Sequence, residues 1–319
     1  MKGQEGVRPR KHRSSFWREL FRTKPVAGVC MLVLIFFVLV AVCADFIAPY
    51  PMENGQLTMN ILDKLKPISL EHPLGTDALG RDLLSYLIYG ARTSVILCIT
   101  CTIISTVIST LIGVSSAVLG GKADLIVQRF VDAWQCIPGM LILLILMSLM
   151  GNGMLQLMVA ISVPNGISGS RMVRAAAMSV KDSGYVKMSR MLGSGALWQM
   201  WKHVIPNILP IIIINMASSL GGVIMMEASM NFLGFGVDSG TPSWGYLITN
   251  QGRQYMIKYP LLALGPGGLI ALMMFASAMF GDGVRDLLDP RLKGGVGSYN
   301  AKKLKRLAAK WMKKSGANG

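Results

Sequence analysis

A run of about 20 apolar residues can sit in hydrocarbon only if it hydrogen-bonds its own backbone, so it crosses a bilayer as a helix. Six stretches of this chain meet that condition: 26–44, 94–119, 131–150, 154–170, 207–229 and 259–280. The fourth is short and interrupted by Pro164, and Pro138 interrupts the third. Pro210 falls in the first turn of the fifth, where a missing N–H costs little. The first run is too long for the apolar core of a signal peptide and lacks a small-residue cleavage site, so it is expected to remain a helix. The pattern predicts an all-α membrane protein with about six transmembrane helices.

Composition agrees, since 52% of the residues are hydrophobic and 15% charged. The net charge of +16 invites a nucleic-acid reading, but the basic residues lie outside the apolar runs and mostly near the two ends. With the N-terminus inside, segments 1–25, 120–130, 171–206 and 281–319 hold 26 of the 32 Lys and Arg residues. The external segments, 45–93 and 230–258, hold the other six. That asymmetry places both termini on the cytoplasmic face of a multi-pass protein, with a lipid bilayer and no nucleic acid as its surroundings.

Further patterns refine the expectation. Ser105, Ser109, Gly113 and Ala117 recur every four residues in the second span, a small face on which two helices approach closely. Phe16, Trp17, Leu20 and Phe21 cluster among basic residues, as do Leu304, Leu307, Ala308 and Trp311. Such amphipathic tails are expected along lipid headgroups. The layout is therefore a basic tail with an amphipathic segment (1–25), a membrane domain (26–293) and a second basic tail (294–319). The five cysteines, Cys30, Cys43, Cys98, Cys101 and Cys136, all lie in apolar stretches. No second Cys/His pair accompanies Cys98 and Cys101, so they are expected to pack rather than bind metal.

Chemistry-bearing motifs are absent. The chain has no GxxxxGK[ST] phosphate loop, no HExxH and no GxSxG. Within the expected spans only Asp132, at an edge, and Glu227 can ionise, too few for the proton or ion relay of a coupled carrier. Uphill movement of a solute would then need energy from another subunit. The 171–206 connection holds the strongest signal for such a subunit. Two short helical stretches flank Gly193, and Trp198 and Trp201 share a face with Leu197, a surface suited to a partner protein. Glu227 sits near the external end of the fifth span. It is expected to be protonated, paired or hydrogen-bonded, and to hold an external gate or the turn beyond it. The alternative is that it lies in water at the interface.

Four blocks carry a family resemblance. The first is His72-Pro-Leu-Gly-Thr-Asp77 with Gly80-Arg-Asp82, Ser85 and Gly90-Ala-Arg92. The second is Tyr185-Val186, Gly193 and His203-Val-Ile-Pro206-Asn207. The third is Glu227-Ala228, the turn from Phe232 through Gly234 and Gly236 to Val237, and Pro242-Ser-Trp244-Gly245. The fourth is Gly281-Asp-Gly-Val-Arg-Asp-Leu-Leu-Asp-Pro-Arg291. In this order, over residues 20–293, the chain resembles the dipeptide/oligopeptide class of bacterial ABC-importer permeases.

The resemblance implies a type I ABC-importer transmembrane domain that is not itself an enzyme. It implies a second homologous permease, two ATPase subunits and an extracytoplasmic solute-binding protein as partners. ATP and Mg would bind to the ATPases, with no cofactor in this chain, and the setting would be the bacterial cytoplasmic membrane. Peptides are the implied cargo; nickel chelates, glutathione and other small solutes are the alternatives within the class. The resemblance also makes Tyr185, Lys187, Met188, Ser189, Gly193, Trp198, His203, Pro206 and Asn207 the ATPase-docking residues. Glu227, Gly234, Gly236 and Trp244 become the external gate or turn. Where the family usually has Glu-Ala-Ala, this chain has Lys187-Met188-Ser189. A stand-alone channel or secondary carrier and a membrane-bound enzyme are the competing classes. The first lacks the ionisable groups, and the second lacks a reactive constellation.

Overall fold

The computed structural model describes residues 16–53, 56–237 and 240–288. The chain opens with α1 (Phe16–Thr23), α2 (Pro25–Val42) and the single turn α3 (Ala44–Ile47). A small antiparallel ladder follows, β1 (Met52–Glu53) with β2 (Gln56–Leu57). Then come α4 (Leu83–Leu119), α5 (Gly121–Gln135), α6 (Gly139–Met150) and α7 (Met154–Lys181). Next are α8 (Gly184–Met191) and α9 (Ala196–Trp198), which continues through a π-helical stretch, Gln199–Val204, into α10 (Ile205–Phe232). Two short helices, α11 (Trp244–Leu247) and α12 (Arg253–Tyr255), precede α13 (Leu261–Leu288).

Four of these helical runs are long and apolar enough to cross a membrane: α2, α4, α9 to α10, and α13. The pair α5 and α6 makes a fifth if a bent pair is one span. The helix α7 has 28 residues, but Arg171 and Arg174 dilute its apolar character. The mostly helical membrane architecture agrees with the sequence apart from the small β ladder; the number of clean spans among the described residues is smaller than six. On α2 no side is polar, as expected of a helix facing both lipid and protein. Val29, Leu32, Phe36 and Leu39 are exposed, while Ala27, Met31, Phe37 and Ala41 are buried.

Span boundaries differ from the apolar runs for identifiable reasons. Helix α4 starts at Leu83 because Asp82 caps it, its carboxylate accepting from the Ser85 N–H and Oγ at 2.8 Å each. At 37 residues it is about 55 Å long and outruns the hydrocarbon. The third span is broken: α5 and α6 meet at 86°, with Pro138 at the bend disfavouring helix at Ile137. Helix α7 continues past 170 to Lys181, since each arginine on it meets a carboxylate of α5. Arg174 grips Asp124 through Nε at 2.7 Å, and Arg171 pairs with Asp132. The first third of the expected docking connection is thus helix. Helix α10 starts at Ile205, so it is Pro206 that occupies the first turn and Pro210 lies inside.

The small face of α4 packs on α7, the most extensive helix pair of the bundle. A Cβ on Gly113 would meet the Ser170 carbonyl at 2.6 Å, and Ser105 Oγ donates to the Ser162 carbonyl at 3.1 Å. Cys98 and Cys101 are buried free thiols. Leu20 of α1 is not laid on headgroups but buried against Ala27, Met31 and Leu287, and Lys24 pairs with Asp286 at 2.5 Å. Leu304, Leu307, Ala308, Trp311 and the end of the fourth sequence block lie outside the described residues.

Candidate functional site

Helix α10 links two candidate sites, a hairpin before its first turn and a buried carboxylate near its last. In the hairpin, α8 and α9 are joined by a turn at Gly193, whose φ of +88° is a left-handed conformation. Open space surrounds the position a Cβ would take, so the backbone, not crowding, calls for glycine here. The Gly193 N–H donates to the Arg190 carbonyl at 3.0 Å. The two arms are held together by polar contacts. Ser189 Oγ lies 3.0 Å from His203 Nε2 and donates to Ser194 Oγ at 2.9 Å. Gln199 Nε2 donates to the Ser194 carbonyl at 3.0 Å. The Tyr185 ring meets the His203 imidazole edge-on at 6.2 Å.

One face of this hairpin is buried and the other is open. Val186, Met200 and Val204 are buried, the last two in a cluster with Val114, Ala117, Val173 and Ile208 of the bundle. Outward, Trp198 and Trp201 are 56% and 59% exposed, and Met188, Met191, Leu192 and Leu197 are exposed with them. Such an exposed apolar patch marks a protein or membrane contact. Lys187 is also exposed, 3.8 Å from Asp182 of its own chain. Pro206 and Asn207 begin α10, and Asn207 Nδ2 donates back to the His203 carbonyl at 2.6 Å. All nine expected docking residues therefore lie on the hairpin or at its junction with α10. The Ser189 hydroxyl does what an alanine there could not, bridging both arms.

At the other end, Glu227 is 1% exposed, so it is not in interfacial water. Its Oε1 accepts from Asn231 Nδ2 at 2.7 Å and from Ser243 Oγ at 3.3 Å, and its Oε2 accepts from Ser94 Oγ of α4 at 3.3 Å. No cation pairs with it among the described residues. Asn231 passes the constraint on, because its Oδ1 accepts from the Val237 N–H at 3.0 Å. A Cβ on Gly236 would sit 1.9 Å from that oxygen, and Gly234 has φ of +83°. The turn after α10 thus requires both glycines, one for closeness and one for its backbone. Its carbonyls also reach the α6–α7 tip, Gly236 accepting from the Gly153 N–H at 2.9 Å and Gly234 from Asn152 Nδ2 at 3.2 Å.

Trp244 is fully buried, its Nε1 donating to the Leu87 carbonyl at 3.0 Å and its ring lying where a Cβ on Gly90 would meet Cδ1 at 2.6 Å. This explains the Gly90 in the first sequence block. The rest of that block is a folded clasp. Asp77 holds Arg81 Nε at 2.7 Å, both fully buried, and accepts from Gln251 Nε2 at 3.1 Å across the chain. His72 Nδ1 lies 3.0 Å from Asp82. At the edge of the clasp, the Arg92 guanidinium hydrogen-bonds Asp45 and holds its carboxyl below the usual carboxylate range. Ser94, Asn231 and Gln251 had no signal in the sequence, since they are ordinary polar residues until folding converges them, whereas Ser243 was present in the third block without a role of its own.

The family model described as "Binding-protein-dependent transport system inner membrane component" matches residues 109–294. The "N-terminal TM domain of oligopeptide transport permease C" matches residues 14–67. The chain is similar to the Oligopeptide transport system permease protein OppC of Bacillus subtilis, 30% identical over 282 residues, covering 88% of this chain and 91% of that protein. It is similar to the Di/tripeptide transport system permease protein DppC of Pseudomonas aeruginosa, 32% identical over 283 residues, covering 88% and 93%. Likewise the Glutathione transport system permease protein GsiD of Pectobacterium atrosepticum is 31% identical over 279 residues, covering 87% and 91%.

Proposed function

This chain belongs to the family of binding-protein-dependent transport system inner membrane components, and from that premise we propose that it is one permease subunit of an ATP-driven importer of short peptides. The relatives are named for oligopeptides, di- and tripeptides, and glutathione. These share the amide-linked backbone of a short peptide. In this reading a second homologous permease completes the pathway, two ATPase subunits bind beneath the pair with the hairpin as this chain's docking surface, and an external solute-binding protein delivers cargo. ATP and Mg belong to the ATPases, and this chain performs no covalent chemistry and holds no cofactor. It sits in the cytoplasmic membrane with both termini inside.

The observation that carries the reading is the hairpin of α8 and α9. Its inner face is packed into the bundle, its outer face presents Trp198, Trp201, Met188 and Met191, and its second arm runs without a break into α10. A partner that pulls on this surface moves α10 directly. The far end of α10 carries Glu227 and the external turn, about 42 Å away for 28 residues. Closure of the ATPases on ATP would then favour one arrangement of α10 over the other. Only a difference in contact between the two states can shift their balance.

The test is to reconstitute the importer, with its second permease, ATPases and binding protein, in vesicles and measure accumulation of a labelled dipeptide. ATP-dependent accumulation that requires the binding protein is expected. Accumulation without ATP, driven by an ion gradient, refutes the reading.

A further inference from the structure

A cavity of about 240 Å³ lies between α4, α7 and α10, and a second of about 150 Å³ lies between the α5–α6 bend and α7; both are lined by Asn165 of α7 and Met226 of α10. The larger adds Ser105, Ser109, Asn215 and Ser219; the smaller runs toward Gln135 at the α5–α6 bend. None of the lining residues can ionise. The Asn215 side chain makes no hydrogen bond among the described residues and lines the larger cavity half-buried. Asn165 has only the weak Met226 sulfur as acceptor, at 3.3 Å. A carboxamide has two donors and an acceptor with two lone pairs, and leaving them unmet within a membrane-spanning bundle is costly. Evolution of a stable core would place leucine at such a position. An amide kept there is matched to something polar that occupies the cavity.

We propose that this cleft is the passage for cargo and that Asn165 and Asn215 hydrogen-bond the backbone amides of a passing peptide, whatever the charge of its side chains. The inference rests on the peptide reading above. A peptide's one repeating feature is an N–H beside a C=O, and a carboxamide complements both at once. A charged lining would sort peptides by side-chain charge, whereas a neutral one cannot. The hydroxyls of Ser105, Ser109 and Ser219 add groups that rotate to donate or accept, and Met226 yields to side chains of different shape.

The experiment measures initial uptake per assembled importer in vesicles for three dipeptides, Ala-Ala, Ala-Lys and Ala-Glu, with the binding protein unaltered. Asn215→Leu removes the amide at similar volume and is expected to slow all three in parallel, by about five- to tenfold, as for one lost hydrogen bond in each passage. Asn215→Asp adds a charge to the neutral lining. It is expected to raise the Ala-Lys to Ala-Glu ratio by about tenfold or more, a ratio that does not depend on how much protein folds. Unchanged uptake by Asn215→Leu, or an unmoved ratio in Asn215→Asp, overturns the proposal. So does loss of the second permease from the purified Asn215→Leu complex, which would make Asn215 a contact to that permease and not to cargo. If the wild-type importer takes up none of the three, the peptide reading itself falls and this inference with it.

Discussion

Glu227 accepts hydrogen bonds from Asn231, Ser243 and Ser94, which belong to α10, the external loop and α4. With no cation beside it, its role is to gather these three segments, and the turn beyond α10 depends on it through Asn231. Glutamine can keep most of these contacts, whereas alanine leaves the buried Ser94 and Ser243 hydroxyls without a partner, at about 1–3 kcal/mol each, and Asn231 with only the Glu227 backbone carbonyl as acceptor. Glu227→Gln is therefore expected to retain uptake within about threefold and Glu227→Ala to lose about tenfold or more at equal membrane abundance. Full uptake by Glu227→Ala would remove the carboxylate from the mechanism. Lys187 poses a different question, because it is exposed and only loosely paired with Asp182. A surface charge of this kind contributes little alone. Against a matched acidic patch on the ATPase, Lys187→Ala is expected to weaken stimulated ATP hydrolysis slightly and Lys187→Glu more, through repulsion. Equal, wild-type behaviour of both variants would show that Lys187 faces only solvent or headgroups.

The α8–α9 hairpin works as a lever only if its arms keep a fixed angle. That angle is set at Gly193, whose φ of +88° proline cannot adopt, since its ring holds φ near −65°. Proline also lacks the N–H that reaches the Arg190 carbonyl. The substitution lies outside the bundle core, so insertion should be unaffected. Gly193→Pro is expected to abolish stimulation of ATP hydrolysis by cargo and binding protein, while the basal rate and the assembled complex persist. Normal stimulated transport by this variant would show that the hairpin is not the coupling element. The bend between α5 and α6 is held differently, by carboxylates on one helix and arginines on another. Pro138 marks an interruption of 131–150 in the sequence but not the size of the bend, and the apolar run of the fourth span ends at 170 because hydropathy counts an arginine as leaving the membrane. Once Arg171 meets Asp132 and Arg174 meets Asp124, the helix continues.

At the scale of the whole molecule, the two sites lie at opposite ends of α10, so the orientation of the bundle decides which compartment each one meets. In the orientation proposed from the basic residues, the hairpin is inside and the His72 to Asp82 clasp outside. Leu70 and Leu192 are both well exposed, one in each region. In a Cys136→Ser background, Leu70→Cys is expected to react with a membrane-impermeant thiol reagent applied to intact cells. Leu192→Cys should react only after the membrane is opened. The reverse pattern would invert the topology and place the hairpin beyond the reach of any ATPase.

Membrane residence, the helical architecture, the turn at Gly193 between two short helices and the hydrogen-bonded state of Glu227 were legible in the sequence. Each of them is local: apolar length, charge asymmetry and one buried acid among apolar neighbours can be read along a single strand of chain. The family resemblance came from motifs in order, which are equally linear. What joins distant positions was not legible. Nothing in the sequence paired Asp77 with Gln251, Glu227 with Ser94, or Trp244 with the gap at Gly90, because side chains so far apart in sequence become neighbours only when helices pack. The sequence by itself determined that this chain must satisfy its backbone with helices in a bilayer. The tertiary structure alone decided where those helices bend and which polar groups answer one another, since both depend on contacts between helices that no local pattern specifies.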